Sequence, residues 1–205
     1  MREVNINRKT NEVRISGRLN IDGEGRSSVE TGFEPLNHLL RLFAFHGFFD
    51  LELIAQGDLK HHIIEDIGIA LGKAFSSALG EKEGIKRYGS FSVVMDKVLV
   101  EAGIDISGRP VAHGVISAPE AVSVRKTLEN AGFDETDFTF KHAEDFLEAF
   151  VQHAGISLVY VIKSGQGDLH HILEALFKAV GKALDEAIQK DSRRRGIPST
   201  KGIID

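Results

Sequence analysis

Apolar and polar positions alternate along VNINRKTNEVRISGRLNID (residues 4–22), the period of a strand pair, and predict a hairpin. RSSVETGF (26–33) follows the turn DGEG and predicts a further strand. The period then lengthens. Pro35 opens PLNHLLRLFAFHG, where Leu36, Leu39, Leu40 and Phe43 share one face of a helix that Gly47 is expected to end. LELIAQG is expected as a strand, and His61 to Leu79 as a second helix closed by Gly80. The same order then returns. YGSFSVVM, VLVEAGIDIS and PVAHGVIS predict strands, residues 141–154 a helix stopped at Gly155, ISLVYVIKSG a strand, and His170 to Lys190 a last helix.

The return extends to identical residues. GDLKHHIIEDIGIALGKAF begins at Gly57 and GDLHHILEALFKAVGKAL at Gly167. His61 and His170, His62 and His171, Glu65 and Glu174, and Gly72 and Gly181 are each 109 positions apart (170 less 61). An internal duplication of this kind implies two similar α+β units. The expected fold is α+β: two duplicated half-domains over residues 1–86 and 87–190, each a four-stranded sheet backed by two helices, with 191–205 as a tail. Only Ala118–Phe138 breaks the symmetry. It has helical spacing of its own and reads as an inserted excursion.

The repeated HHxxE carries chemistry. On a helix, residues i and i+4 share a face, so His61 points with Glu65 and His170 with Glu174. The adjacent His62 or His171 is turned by about 100° and suits a different ion. If the two helices meet, within a chain or across subunits, each ion takes one His–Glu pair and a histidine from the other helix. A single His-His pair at a helix start is commonplace; two copies in one register point to metal. With no cysteine in the chain, thiolate sites and cysteine nucleophiles are excluded and any metal must be held by nitrogen and oxygen. Mn, Fe, Zn or Ni fit such ligands, and a site that also holds substrate atoms suits octahedral Mn.

Charge narrows the partner. The net charge of −5 leaves no basic surplus for a nucleic-acid backbone, yet DSRRRGIPSTKG is locally basic. Arg87 in IKRYG, Arg109 in SGRP, and Ser199 and Lys201 in PSTKG would together suit a phosphate on a small molecule. His38, among leucines, and His46 lie eight apart on one helix and are further candidates. No apolar run reaches membrane-span length and the N-terminus lacks a signal-peptide core, so a cytoplasmic protein is expected.

Taken together, RKTNEVRISGRLNIDGEG, TGFEPLNHLL, FHGFFDLEL, HHIIEDIGIALG, GIKRYGSF, ISGRP, HHILEALFKA and GIPSTKG resemble the imidazoleglycerol-phosphate dehydratase family over nearly the whole chain. The resemblance implies a ribosomal protein S5 domain 2-like fold in each half. It implies a hydro-lyase of histidine biosynthesis that converts D-erythro-imidazole glycerol phosphate to imidazole acetol phosphate. It further implies two Mn2+ per subunit and a large symmetric shell, a 24-mer in the family, with active sites between subunits.

Its metal ligands would be His38, His61, His62, Glu65, His170, His171 and Glu174. Glu12 or Glu174 would move protons, and Glu12, His46, Arg87, Arg109, Ser199 and Lys201 would contact substrate. The chain departs from the family pattern in four places. GDLKHH is three residues shorter than the usual loop and lacks its two aspartates, which could orient histidine ligands. Asp145 stands where some members have a histidine ligand, with His142 three residues earlier. Val159 replaces a strand histidine, and the 118–138 excursion does not match the usual segment. The alternatives are a divergent member acting on another imidazole or phosphate substrate, or a metal-binding shell protein with little catalysis. Retention of Glu12, both HHxxE sets, both arginines and PSTKG argues against the last.

Overall fold

The computed structural model describes residues 2–134 and 136–204. Eight strands form two sheets with one plan. β1 (Glu3–Lys9), β2 (Val13–Asn20), β3 (Ser27–Glu30) and β4 (Asp50–Gly57) lie in the order β1-β2-β4-β3. β5 (Tyr88–Met95), β6 (Val98–Asp105), β7 (Val111–Ile116) and β8 (Ser157–Gly165) lie in the order β5-β6-β8-β7. In each sheet the third strand runs parallel to the fourth and the other pairs are antiparallel. The alternation read from the sequence is the reason. Val13, Ile15 and Leu19 of β2 and Val98, Val100, Ala102 and Ile104 of β6 are buried, while Arg14, Ser16 and Arg18 of β2 are exposed and the alternate residues of β6 half-buried.

The inner faces are covered by α1 (Glu34–Gly47) and α2 (Lys60–Leu79) on the first sheet, and by α4 (Phe140–Ala154) and α5 (Leu169–Ile188) on the second. The helices meet in the middle, as the duplication implies, but they pair crosswise. α1 packs along α5 and α2 along α4. Glycines permit the close approach: a Cβ on Gly72 would lie 2.5 Å from the Phe150 carbonyl oxygen, and one on Gly181 2.6 Å from that of Phe43. The Gly72/Gly181 identity in the repeat is therefore a packing requirement. Phe43, Phe49, Phe75 and Phe150 close the centre with tilted and edge-to-face ring contacts. Transfer of a phenylalanine side chain of this kind from water contributes roughly 1.5–3 kcal/mol.

One detail differs from expectation. α1 does end with Gly47, but the left-handed residue that closes it is Phe48, at φ 55°. Gly47 is inside the last turn because a Cβ there would strike the Phe49 ring. The excursion holds a helix, α3 (Ala121–Asn130), and Val124, Phe133 and Phe138 fasten it to the body as buried residues. Among the described residues no helix is long and apolar enough to cross a membrane.

Candidate metal and substrate site

The parallel packing of α1 on α5 brings His38 over the second HHxxE. His38 Nε2 is 2.5 Å from Glu174 Oε1, and His170 Nε2 is 3.0 Å from the same oxygen. Two imidazole nitrogens and a carboxylate oxygen thus converge on one point, a donor set that suits a divalent transition ion. Lys178 donates to the other oxygen, Oε2, at 2.6 Å. Glu174 is buried, which alone would raise its pKa. Hydrogen bonds from Lys178, His38 and His170 outweigh that burial and lower it to about 2. A carboxylate held this way is a permanent anion at neutral pH. Burial also works against an imidazolium at His170, but Asp134 and Glu174 outweigh it and raise its pKa.

The second histidine of each motif is oriented by the aspartate of the preceding GDL. Asp58 Oδ1 is 2.8 Å from His62 Nδ1, and Asp168 Oδ1 is 2.6 Å from His171 Nδ1. Asp168 also caps α5, accepting the His171 backbone N–H at 2.9 Å. The hydrogen bond that its ring donates to Asp58 raises the His62 pKa. Asp58 and Asp168 therefore orient these two rings although GDLKHH lacks the two aspartates of the usual loop. They were visible as the repeated GDL. Glu12 lies 3.8 Å from His62 Nδ1 and forms a second cluster with Asp58 and His62. His171 Nε2 is 3.1 Å from Asp96 Oδ2.

The first motif is not the mirror of the second. Glu65 and His61 are exposed, whereas Glu174 is buried. The burial pattern of α4 aligns with that of α1 so that Asp145 occupies the place of His38. Its carboxylate is instead paired with Lys141 at 2.6 Å. His142, the other candidate, accepts the Thr139 backbone N–H in a capping box and is committed there. Among the described residues, neither ligand cluster includes His61, Glu65 or Asp145. α2 and α5 pack against different helices, so one chain does not make the exchange between the two motifs. Val159 is an exposed residue of β8.

The substrate candidates fall into two groups. His46 lies further along α1 in an open cleft of about 470 Å³, with Lys178, Lys182, Phe48 and Phe91. Burial, then Lys178 and Lys182, lowers the His46 pKa and keeps it neutral. Lys178 was missed from sequence, although it stands at i+4 from Glu174 where the first repeat has Ile69. Arg87 belongs to the other group. Its Nε and Nη2 hold the Asp105 carboxylate at 2.7 and 3.1 Å, and its Nη1 donates to the Pro198 carbonyl at 3.0 Å. Arg87 thereby ties down the turn in which the Ser199 Oγ accepts the Lys201 N–H. The side chains of Arg109 and Lys201 are exposed. Arg87 is bonded to Ala187 at the far end of α5 from Glu174, roughly 20 Å away at 1.5 Å per residue.

Comparison with known proteins shows the family and the fold. The sequence model of imidazoleglycerol-phosphate dehydratase matches residues 31–184. The imidazoleglycerol-phosphate dehydratase of Thermoanaerobacter sp. (strain X514) is 45% identical over 207 aligned residues, covering 100% of both chains. That of Pelobacter propionicus is 46% identical over 206, covering 99% of both. The solved structure of the Staphylococcus aureus enzyme superimposes with a TM-score of 0.75 at 31% identity, over 92% of this chain and 100% of that one. The Pyrococcus furiosus structure gives 0.77 at 29%, over 97% and 99%. The chain belongs to the imidazoleglycerol-phosphate dehydratase family and is a hydro-lyase of histidine biosynthesis.

Proposed function

We propose that the chain dehydrates D-erythro-imidazole glycerol phosphate at sites shared between subunits of a large symmetric shell in the cytoplasm, with two Mn2+ per subunit. The observation that carries the shared site is distance. The Glu174 cluster and the Arg87–Pro198 anchor stand at opposite ends of α5, too far apart for one small phosphorylated imidazole to touch both in one chain. A neighbouring copy that brings its tail, residues 191–205, to the cleft beside His46 and Lys178 removes the difficulty.

In this reading His38, His170 and Glu174 hold one ion. The exposed His61 and Glu65, with His62, His171 and Asp145, complete the ligand sets across the subunit boundary. A bound ion supplies a Lewis acid and template for the imidazole ring of the substrate, in which no carbonyl is available to store charge. The chain supplies the rest. Glu12 is the better proton carrier, because its side chain is 56% exposed and stands beside His62. Glu174, whose Oε2 accepts from Lys178, stays ionised and serves as a ligand through its other oxygen. Arg109, Ser199 and Lys201 grip the phosphate, and Arg87 holds the turn of Ser199 and Lys201 in place.

The test is dehydration of imidazole glycerol phosphate by protein stripped with chelator and resupplied with Mn2+, with particle size measured in parallel. Turnover that returns with Mn2+ in a large particle is the expected result. Full turnover by a monomer would remove the shared site, and full turnover without metal would remove the ions.

A further inference from the structure

We propose that the excursion between β7 and α4 positions His170, with Asp134 fixing its tautomer and Phe133 its ring plane, so that the metal position on α5 is preorganised and its counterpart on α2 is not. This rests on the metal reading above. Both Asp134 carboxylate oxygens lie within hydrogen-bond distance of His170 Nδ1, at 2.9 and 3.1 Å. A neutral imidazole carries its proton on one nitrogen only. A proton held at Nδ1 leaves the Nε2 lone pair, 3.0 Å from Glu174, free for a cation. The buried Phe133 ring stacks on His170 at 4.3 Å with planes 20° apart and meets His38 edge-on at 6.2 Å. Asp134 reaches its place from a left-handed backbone, φ 51°, which aspartate tolerates better than most residues.

The duplication supplies the comparison. The first half joins β3 to α1 through residues 31–33, whereas the second spends 117–139 between β7 and α4. His61, the counterpart of His170, is exposed, and among the described residues no carboxylate stands within ion-pair distance of it. One motif, written twice, is thus held in two different ways. The expected consequence is two classes of ion with unequal affinity.

Titration of Mn2+ into chelator-stripped protein, followed by calorimetry and by electron paramagnetic resonance of free Mn2+, tests this. Asp134→Asn and Asp134→Gly both keep a residue that accepts the left-handed backbone and remove the carboxylate. Glu129→Gln, on the same excursion, is the control. The tighter class should weaken about 10–100-fold in both Asp134 variants and remain unchanged in the control. Wild-type tight binding in both variants would overturn the positioning role alone. A loss of affinity matched by a lower melting temperature of the metal-free protein in both variants would make the excursion merely structural and also overturn it. Wild-type protein that binds no Mn2+ would overturn the metal reading and this inference with it.

Discussion

His38 and Glu174 are 136 positions apart in sequence, yet the imidazole Nε2 and the carboxylate oxygen lie 2.5 Å apart. That pair joins the two repeats: α1 belongs to the first and α5 to the second. The cluster it makes depends on the crosswise packing of the duplicated halves.

Glu174→Gln should keep the fold, because the amide fills the same space and its oxygen still accepts from Lys178. It should weaken metal binding by more than the roughly 10–100-fold typical of residues that only orient ligands, and abolish turnover. Metal content after dialysis, read beside the rate, checks this.

Asp58→Asn and Asp168→Asn test the repeated GDL. Asparagine still caps α5, so helix stability should be little changed. Each substitution should cost about 10–100-fold in metal affinity by freeing the ring of His62 or His171. Unchanged affinity in both would mean that the rings are placed by packing alone.

Gly181→Ala couples packing to the site. Its Cβ would meet the Phe43 carbonyl at 2.6 Å, a backbone group that cannot turn away. Overpacking of this kind costs about 1–3 kcal/mol. α1 should shift off α5 and carry His38 away from Glu174. A lower melting temperature together with weaker metal binding is expected; a stable variant with full affinity would show that the helices yield without disturbing the site.

Asp185 gives a pH signature away from the ligands. Burial raises its pKa above the ordinary 3.8, with Glu186 adding to the rise, while Lys182, Gln189 and Lys86 pull it back. A raised carboxyl pKa means that the folded state holds its proton longer than the unfolded one. Stability is then lost as pH rises from the unfolded value through the folded one. Asp185→Asn should therefore unfold at higher urea than wild type at pH 7, with the gap closing as the pH falls toward 4. An equal gap at both pH values would locate the effect in something other than titration.

The architecture was legible because period carries it. Strand alternation and the helical spacing of Leu36, Leu39, Leu40 and Phe43 record which face is buried, and the shared register of His61 with His170 records the duplication. His170 and Glu174 stood out for a similar reason, since the i, i+4 pair recurs in both repeats, whereas His38 entered as a proposed ligand through the family resemblance. What the sequence did not convey depends on which helix lies against which. Glu65 and Glu174 have the same motif, yet one is exposed and the other buried, because α2 faces α4 and α5 faces α1. Asp145 falls at the right place on α4 but pairs with Lys141, a local ion pair that periodicity does not register. Asp134 has no pattern at all, since a turn in an excursion can aim a carboxylate anywhere.

The shared site is tested most directly by mixing two inactive proteins. One carries Glu174→Gln, the other Arg109→Ala with Lys201→Ala, and the two are dissociated and reassembled together. If metal ligands and phosphate ligands of one site come from different chains, about a quarter of the sites in an equal mixture receive both intact halves, so activity should return to about that fraction. If each chain builds its whole site alone, no site is intact and the mixture stays as inactive as its parents.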